Sequence, residues 1–356
     1  MILRTPLIPF VRTKQSVSKG PSAVSPPFDY AQDGVEIYLK LENLQPTGSF
    51  KVRGAGNALL SANPDQLKNG VWTASAGNMG QALAWYAKKL KVPCTVLVPD
   101  DAPEVKVQAI QRLGAKIVKV PFADYQSIQK EGAYPAMKGL LIHPFADEAV
   151  MAGNGTIGLE VLEDLPDADL ILVPYGGGGL SCGIAAAVRA ERRDERSEER
   201  SRSALSPSFD PSTRSGRRFA QDEGVKVEAV ELETATPFTS SFVDGKMVEV
   251  PYRASFVSGM GAPFLFPQMW MLASQLLDGS RVVELTQVAE AIRLLAEHHH
   301  IIVEGAGAVA LAAALLITDS HPLRESDCQF KKIVCVVSGG NINAEHLNKI
   351  LHGELP

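Results

Sequence analysis

The stretch Leu41-Glu42-Asn43-Leu44-Gln45-Pro46-Thr47-Gly48-Ser49-Phe50-Lys51-Val52-Arg53-Gly54 decides how this chain is read. Ahead of it, Val35-Glu36-Ile37-Tyr38-Leu39-Lys40 alternates apolar and polar residues, as a half-buried strand does. Pro46 and Gly48 then break the alternation, and a helix-compatible run follows from Ala55 to Leu60. Lys51 therefore stands just past a turn, at or near the start of a helix. The positive end of the helix dipole disfavours a protonated amine there. A dry setting pushes it further toward neutrality, and a neutral amine is the nucleophile that makes Schiff bases. Taken alone, the same lysine also reads as an ordinary surface residue, so the rest of the chain has to decide.

With 356 residues and 45% hydrophobic content the chain can bury a sizeable core, and its length suggests two domains. A net charge of −5 without a domain-scale basic surface argues against nucleic acid as a partner. Met1-Ile2-Leu3-Arg4-Thr5-Pro6 lacks the apolar run and cleavage site of a signal peptide. The longest apolar run, Ala308 to Ile317, is too short to span a membrane. Cys94, Cys182, Cys328 and Cys335 show neither metal nor disulfide spacing and read as small core residues in a reducing compartment. A soluble cytoplasmic protein is expected.

Residues 14–34 and 192–224 stand apart in composition, rich in Ser, Pro, Arg and Asp, and they resemble each other. The first contains Ser25-Pro26-Pro27-Phe28-Asp29 and closes on Ala31-Gln32-Asp33-Gly34; the second contains Ser206-Pro207-Ser208-Phe209-Asp210 and closes on Ala220-Gln221-Asp222-Glu223-Gly224. Both stop just before a strand. They read as two copies of one cassette inserted into surface loops, too polar to support a core and hence expected to be disordered.

Elsewhere strand and helix alternate. Strands are expected at Val71–Ala74, Cys94–Val98, Ile117–Val120, Leu170–Val173, Val227–Val230, Val282–Leu285 and Ile333–Val337. Helices are expected at Gln81–Leu90, Glu104–Leu113, Thr156–Leu165, Leu180–Glu191, Gln287–His298, Gly307–Leu316 and Ala344–Leu351, with Thr286 as an N-cap. The alternation predicts an α/β fold of mostly parallel sheets flanked by helices. Ligands in such folds gather at the carboxyl ends of strands.

Three strand ends carry unusual loops. Ser75-Ala76-Gly77-Asn78-Met79-Gly80 follows the first; its small residues and the coming helix suit an anion such as a carboxylate, or simply cap that helix. Gly176-Gly177-Gly178-Gly179-Leu180-Ser181 follows Leu170–Tyr175, and successive amides in such a loop make a nest for phosphate. The same loop holds Gly179-Leu180-Ser181-Cys182-Gly183, a formal G-x-S-x-G, although a hydrolase elbow sets its serine on the turn itself. Ser338-Gly339-Gly340-Asn341 follows Val337; a serine there can meet a heterocycle or serve as a turn residue. Glu304 opens an apolar helix, where negative charge is also favourable in itself. His298-His299-His300 reads as a helix end, because adjacent residues do not share a helix face.

As an ordered set these motifs resemble the threonine dehydratase family of pyridoxal-phosphate enzymes, whose fold also contains serine racemase and the cysteine synthases. The likeness rests on Lys40-Leu41-Glu42, Pro46 to Gly54, Ser75-Ala76-Gly77-Asn78, His143-Pro144-Phe145, Gly153 to Glu160, the four glycines, Val303 to Ala308, and Ser338 to Asn341. It implies a small domain over residues 54–145 and a large one built from 1–53 and 146–356, with pyridoxal 5'-phosphate in the cleft between them.

The resemblance also implies roles. Lys51 would hold the cofactor as a Schiff base and later take the substrate Cα proton, with Phe50 beside the ring. Asn78 would bond the phenolic oxygen, and Gly176, Gly177, Gly178, Gly179 and Leu180 would bind the phosphate. Ser338 would face the pyridine nitrogen, Glu304 would join the cofactor site, and Ser75, Ala76, Gly77, Asn78 and Met79 would hold the substrate carboxylate. The implied reaction is β-elimination of water from L-threonine, L-serine or a related hydroxy amino acid, giving a 2-oxo acid and ammonia. A homodimer is implied as well.

Departures from the family pattern shape the expectation. Met79 stands where histidine is frequent, and Ala76 where racemases carry a second catalytic serine, which disfavours racemisation. A divalent-cation site would map near Glu231 and Ala235 but meets Pro237, so no metal is expected. Ser255 to Pro263 differs from the usual pattern. The chain ends soon after Asn341, so a C-terminal regulatory module is not expected. A β-replacement enzyme or racemase of the same fold, a serine hydrolase using Ser181 and a non-catalytic cofactor-binding protein remain as alternatives.

Overall fold

A computed structural model describes residues 2–11, 31–32, 34–204, 224–319 and 330–356. In chain order its strands are β1 (Leu7–Pro9), β2 (Ala31–Gln32), β3 (Val35–Leu41), β4 (Val71–Ala74), β5 (Cys94–Pro99), β6 (Lys116–Val120), β7 (Leu140–Leu141), β8 (Leu170–Pro174), β9 (Lys226–Leu232), β10 (Gly279–Val283) and β11 (Lys332–Val337). They form two sheets. The larger runs β1-β3-β11-β8-β9-β10, with β2 also paired to β3, and the smaller runs β6-β5-β4-β7. Only β1 and β2 pair antiparallel to their neighbour β3; the other ladders are parallel. The expected α/β architecture of helix-flanked parallel sheets is therefore present.

Burial on both faces explains why these strands are nearly continuous apolar runs. In β8, Leu170 and Leu172 face one core with Ile333, Cys335 and Val337 of β11 and the helix Gly305–Asp319. Ile171 and Val173 face the opposite core with Val334, Val336 and the helix that starts at Gly179. The smaller sheet is likewise covered on both sides. No helix among the described residues is long and apolar enough to cross a membrane.

Several element limits differ from the sequence expectation. The helix expected from Thr156 runs Glu148–Asp164, capped by Asp147, whose side chain accepts from the Val150 amide. Its glycines look like breakers but serve close packing: a Cβ on Gly153 would lie 2.5 Å from the Arg53 carbonyl oxygen, and one on Gly155 would lie 2.8 Å from that of Gly183. Strand β10 ends at Val283, and Glu284 rather than Thr286 is the N-cap of Leu285–His299; the Gln287 side chain accepts the Glu284 amide at 2.8 Å.

The helix that starts at Gly179 continues to Ala204, correcting the expectation that disorder begins at residue 192. Its Glu and Arg residues are good helix formers, which the insertion reading overlooked. The remainder of that segment, residues 205–223, and residues 12–30 and 33 lie outside the described residues, while Ala31–Gln32 pairs with β3.

A buried ionic cluster ties the N-terminal strand layer to the helices. Arg53 is 2% exposed, Lys40 and Glu42 are 0% exposed. The Arg53 guanidinium donates to both Glu42 oxygens at 2.8 Å and to the Glu160 oxygens at 2.7 and 2.8 Å. Lys40 Nζ lies 2.7 Å from Glu160 Oε2 and donates to the Thr5 carbonyl at 2.6 Å. Burial works against the Arg53 charge, but its bonds to Glu42 and Glu160 outweigh that and raise its pKa. Desolvation likewise opposes the Glu160 charge, and its bonds to Arg53 and Lys40 overcome it, holding the carboxyl below its usual range.

Arg53→Met leaves the buried Glu42 carboxylate without its cation, while Glu160 keeps Lys40. It should destabilise the protein by about 3–5 kcal/mol in urea unfolding.

Candidate active site

Strands β3, β11 and β8 lie side by side and parallel, with Val337 level with Leu41 and Cys335 level with Leu172. Their carboxyl ends therefore deliver the Lys51, Ser338 and tetraglycine loops to one edge of the larger sheet. The first two loops are stitched together: Phe50 donates its amide to the Ser338 carbonyl at 3.0 Å, Gly340 donates to the Gly48 carbonyl at 2.8 Å, and Ser49 bridges Gly339.

Lys51 is the first residue of the helix Lys51–Ser61, with Phe50 as its N-cap. Its Nζ donates to the Pro144 carbonyl at 2.5 Å and lies 4.9 Å from the Phe50 ring centre. Burial lowers the amine to about 8, against the opposing charge of Glu304, although the residue as a whole stays partly accessible. The Pro144 carbonyl is held in place by His143. That ring accepts the Ala146 amide on Nδ1 at 2.9 Å, which leaves Nε2 to donate to the Gln129 carbonyl at 3.0 Å. Burial pushes His143 below its ordinary value and so favours this neutral form.

Asn78 crosses from the smaller sheet. It is the first residue of the helix Asn78–Leu90, after β4. Its Nδ2 donates to Glu304 Oε1 at 2.7 Å, and its Oδ1 accepts from Asn341 Nδ2 at 2.8 Å. Glu304 is buried, and desolvation raises its carboxyl to about 7 in spite of the Asn78 bond and the charges of Lys106 and Lys51. Ser338 is also buried and donates its hydroxyl to the Ala306 carbonyl at 3.2 Å.

The tetraglycine loop is closed to side chains. A Cβ on Gly177 would sit 2.4 Å from the Phe145 ring, one on Gly179 would sit 2.5 Å from the Phe145 carbonyl oxygen, and Gly178 has φ +84°. Asn154 Nδ2 fixes the loop by donating to the Gly179 carbonyl at 3.1 Å. The amides of Gly177, Gly178, Gly179 and Leu180 meet no protein acceptor among the described residues. Those of Asn78, Met79 and Gly80 at the other helix start do not either. One depressed amine thus lies near two sets of free helix-terminal amides, one reached through Pro144 and Phe145 and the other through Glu304 and Asn78, a donor set suited to a phosphate and a carboxylate.

Ser75–Gly77 follow β4, and the helix begins at Asn78 rather than at the expected Gln81. The Met79 side chain is 1% exposed and lies in the core beside the smaller sheet, so only its backbone faces the cleft. Ser181 donates to the Gly178 carbonyl at 3.2 Å inside the first helical turn, and no histidine bonds it among the described residues. The hydrolase geometry is not formed. His298 and His299 close their helix, and His300 is its left-handed C-cap. Glu231 is taken up by the Phe238 and Thr239 amides at 3.0 and 2.7 Å and by the Thr239 hydroxyl. Asn341, His143, Pro144, Phe145 and Asn154 belong to the motifs above, but no local pattern assigns them a task. Their roles depend on contacts between distant parts of the chain.

A family model described as "Pyridoxal-phosphate dependent enzyme" matches residues 23–339. The chain belongs to that family. It is 37% identical to an L-threonine ammonia-lyase of Geobacter sulfurreducens over 89% of this chain and 70% of that protein. It is 31% identical to a catabolic L-threonine dehydratase of Staphylococcus aureus over 99% of this chain and 88% of that protein. Among solved structures it is similar to maize serine racemase, with a TM-score of 0.74, 28% identity and coverage of 99% of this chain and 92% of that one. A tomato threonine deaminase gives a TM-score of 0.70 at 27% identity, over 90% of this chain and 78% of that one.

In a pyridoxal-phosphate enzyme the free amides and the amine fit the cofactor's phosphate and aldehyde. Gly177→Ala would force the Phe145 ring or the loop aside. It should weaken capture of pyridoxal phosphate by the cofactor-stripped protein about tenfold or more, as read by absorbance titration.

Proposed function

We propose that the protein is a pyridoxal-phosphate-dependent ammonia-lyase that eliminates water from L-threonine, L-serine or a related hydroxy amino acid, yielding a 2-oxo acid and ammonia. The observation that carries this reading is Lys51: an amine lowered to about 8 at a helix start, in a cleft flanked by two sets of unused amides. The relatives named as threonine ammonia-lyase and threonine dehydratase support the choice of reaction.

When bound, pyridoxal phosphate supplies an electron sink that acidifies the substrate Cα proton. Lys51 would hold the cofactor, and its free Nζ would accept that proton. Gly176 to Leu180 bind the phosphate through backbone amides, with Asn154 keeping the loop in shape. Phe50 would hold the ring and Asn78 its phenolic oxygen, with Glu304 bonded to Asn78. Ser338 would serve the ring nitrogen with a neutral hydroxyl, which cannot hold that nitrogen protonated as a carboxylate would. Such an arrangement disfavours transamination. The amides of Asn78 and Met79, together with Ser75, Ala76 and Gly77, hold the substrate carboxylate. The small half (54–145) and the large half (1–53 with 146–356) act as two domains around the cleft. The working enzyme is a cytoplasmic homodimer.

Purified protein supplied with pyridoxal phosphate should release 2-oxo acid from L-threonine or L-serine. Lys51→Ala should lower that rate by about a thousandfold or more. Wild-type protein that captures the cofactor on Lys51 but yields no 2-oxo acid from either substrate would refute the assigned reaction.

A further inference from the structure

The Glu304 carboxyl is built into the cleft with more care than a helix-capping charge requires. Oε1 accepts from Asn78 at 2.7 Å, and Asn78 is fixed in turn by Asn341 at 2.8 Å. The Glu304 amide donates to the Gly339 carbonyl at 3.0 Å. Gly339 must lack a side chain, since its Cβ would lie 2.3 Å from Glu304 Oε1. The carboxyl is buried, yet its single bonded partner among the described residues is a neutral amide. For a structural anion this is a poor setting, because a buried carboxylate needs paired charge or several donors.

We propose that Glu304 is a positioning acid for Lys51, a carboxyl whose change of charge sets the protonation of the lysine amine across the cleft. The proposal deepens the assignment of Lys51 as the reactive amine and rests on it.

The Glu304 carboxyl lies against the loop that carries Lys51: a Cβ on Gly339 would lie 2.3 Å from Glu304 Oε1 and 3.3 Å from Ser49 Cβ, and Ser49 bridges Gly339. Among the described residues the charges acting on Glu304 are those of Lys51 and Lys106, from the helices Lys51–Ser61 and Glu104–Arg112, and His143 is influenced by Lys51 and Asp147. Burial brings the two groups together from opposite directions, Glu304 up to about 7 and Lys51 down to about 8. Below this interval the pair carries one positive charge, within it the charges cancel, and above it one negative charge remains. Asn78 keeps the carboxyl in place whichever form it takes, because Glu304 Oε1 accepts from Asn78 Nδ2 whether the other carboxyl oxygen carries a proton or not. A carboxylate here keeps the proton on Lys51. A neutral side chain of the same shape releases it.

The test uses the full-length chain stripped of cofactor. The pH profile of Lys51 acetylation by trace acetic anhydride is read by mass spectrometry on the Lys51 peptide. Glu304→Gln retains the acceptor for Asn78 but removes the charge. The midpoint of the profile should fall by roughly half to one pH unit, making Lys51 several-fold more reactive at neutral pH. An unchanged or raised midpoint overturns the proposal. If Glu304→Gln does not fold by circular dichroism, the wild-type curve decides: two coupled groups give a profile broader than one ionisation, and a single sharp ionisation refutes the coupling. Adding pyridoxal phosphate and reducing with borohydride separates the two readings. Lys51 left unlabelled by cofactor would sink the functional assignment, whereas labelled Lys51 with an unshifted Glu304→Gln midpoint would sink only this inference.

Discussion

The buried pairing of Arg53 with Glu42 and Glu160 is the constraint on which the site depends. Two residues after Lys51, Arg53 forks between a carboxylate at the end of β3 and one on the helix Glu148–Asp164. The first turn of the lysine helix is thereby pinned to the larger sheet and to the helix packed across it. Lys40 adds the second cation, so two positive and two negative charges meet where little water reaches them. Such a cluster gains little over a well-packed apolar core, but it tolerates few geometries. Its effect here is to fix where the amine of Lys51 points.

Electrostatics then follow from dryness rather than from a nearby cation. Lys51 falls and Glu304 rises chiefly because each loses water, and their mutual attraction partly reverses both shifts. The glycines supply the space. Gly339 leaves room for the Glu304 carboxyl, and the four glycines from Gly176 let Phe145 lie directly on the loop while their amides stay unused. A single methyl group at Gly177 or Gly339 would have to displace a ring or a carboxyl, so these positions answer to packing and to chemistry together.

Much of this was legible in the sequence because the relevant signals are local. Alternating and continuous apolar runs marked the strands, and the run from Pro46 to Gly54 put Lys51 at a helix start, where it is. Glycine was the main source of error. Gly153 and Gly155 lie ahead of the expected start at Thr156 yet inside a helix that begins at Glu148, because the value of a missing Cβ appears only when the neighbouring helix is in place. The Arg- and Glu-rich start of the second insertion was read from its polarity, whereas its helix propensity carried the helix on to Ala204. Met79 looked like a change to the carboxylate pocket, but the first turn of its helix rotates the side chain into the core. Asn341 and the Pro144 carbonyl were illegible for a different reason: each acts on a residue far away in the chain.

The stitching of the lysine loop to the C-terminal loop gives the site its rigidity. Phe50 to Ser338, Gly340 to Gly48, and Asn341 to Thr47 at 2.9 Å are contacts between the loops that follow β3 and β11 of the larger sheet. They cross from β3 to β11, which are already paired in parallel. Lys51 and Ser338, the groups assigned to the two ends of one flat ring, are therefore set by a single strand pair. Asn78 is different: it reaches the same place from the smaller sheet, through side-chain bonds to Glu304 and Asn341. A shift between the sheets would strain those two bonds before it disturbed the Lys51–Ser338 frame. The helix start proposed to take the substrate carboxylate begins at Asn78, so the asparagine is the point at which movement of the smaller sheet would be felt by Glu304.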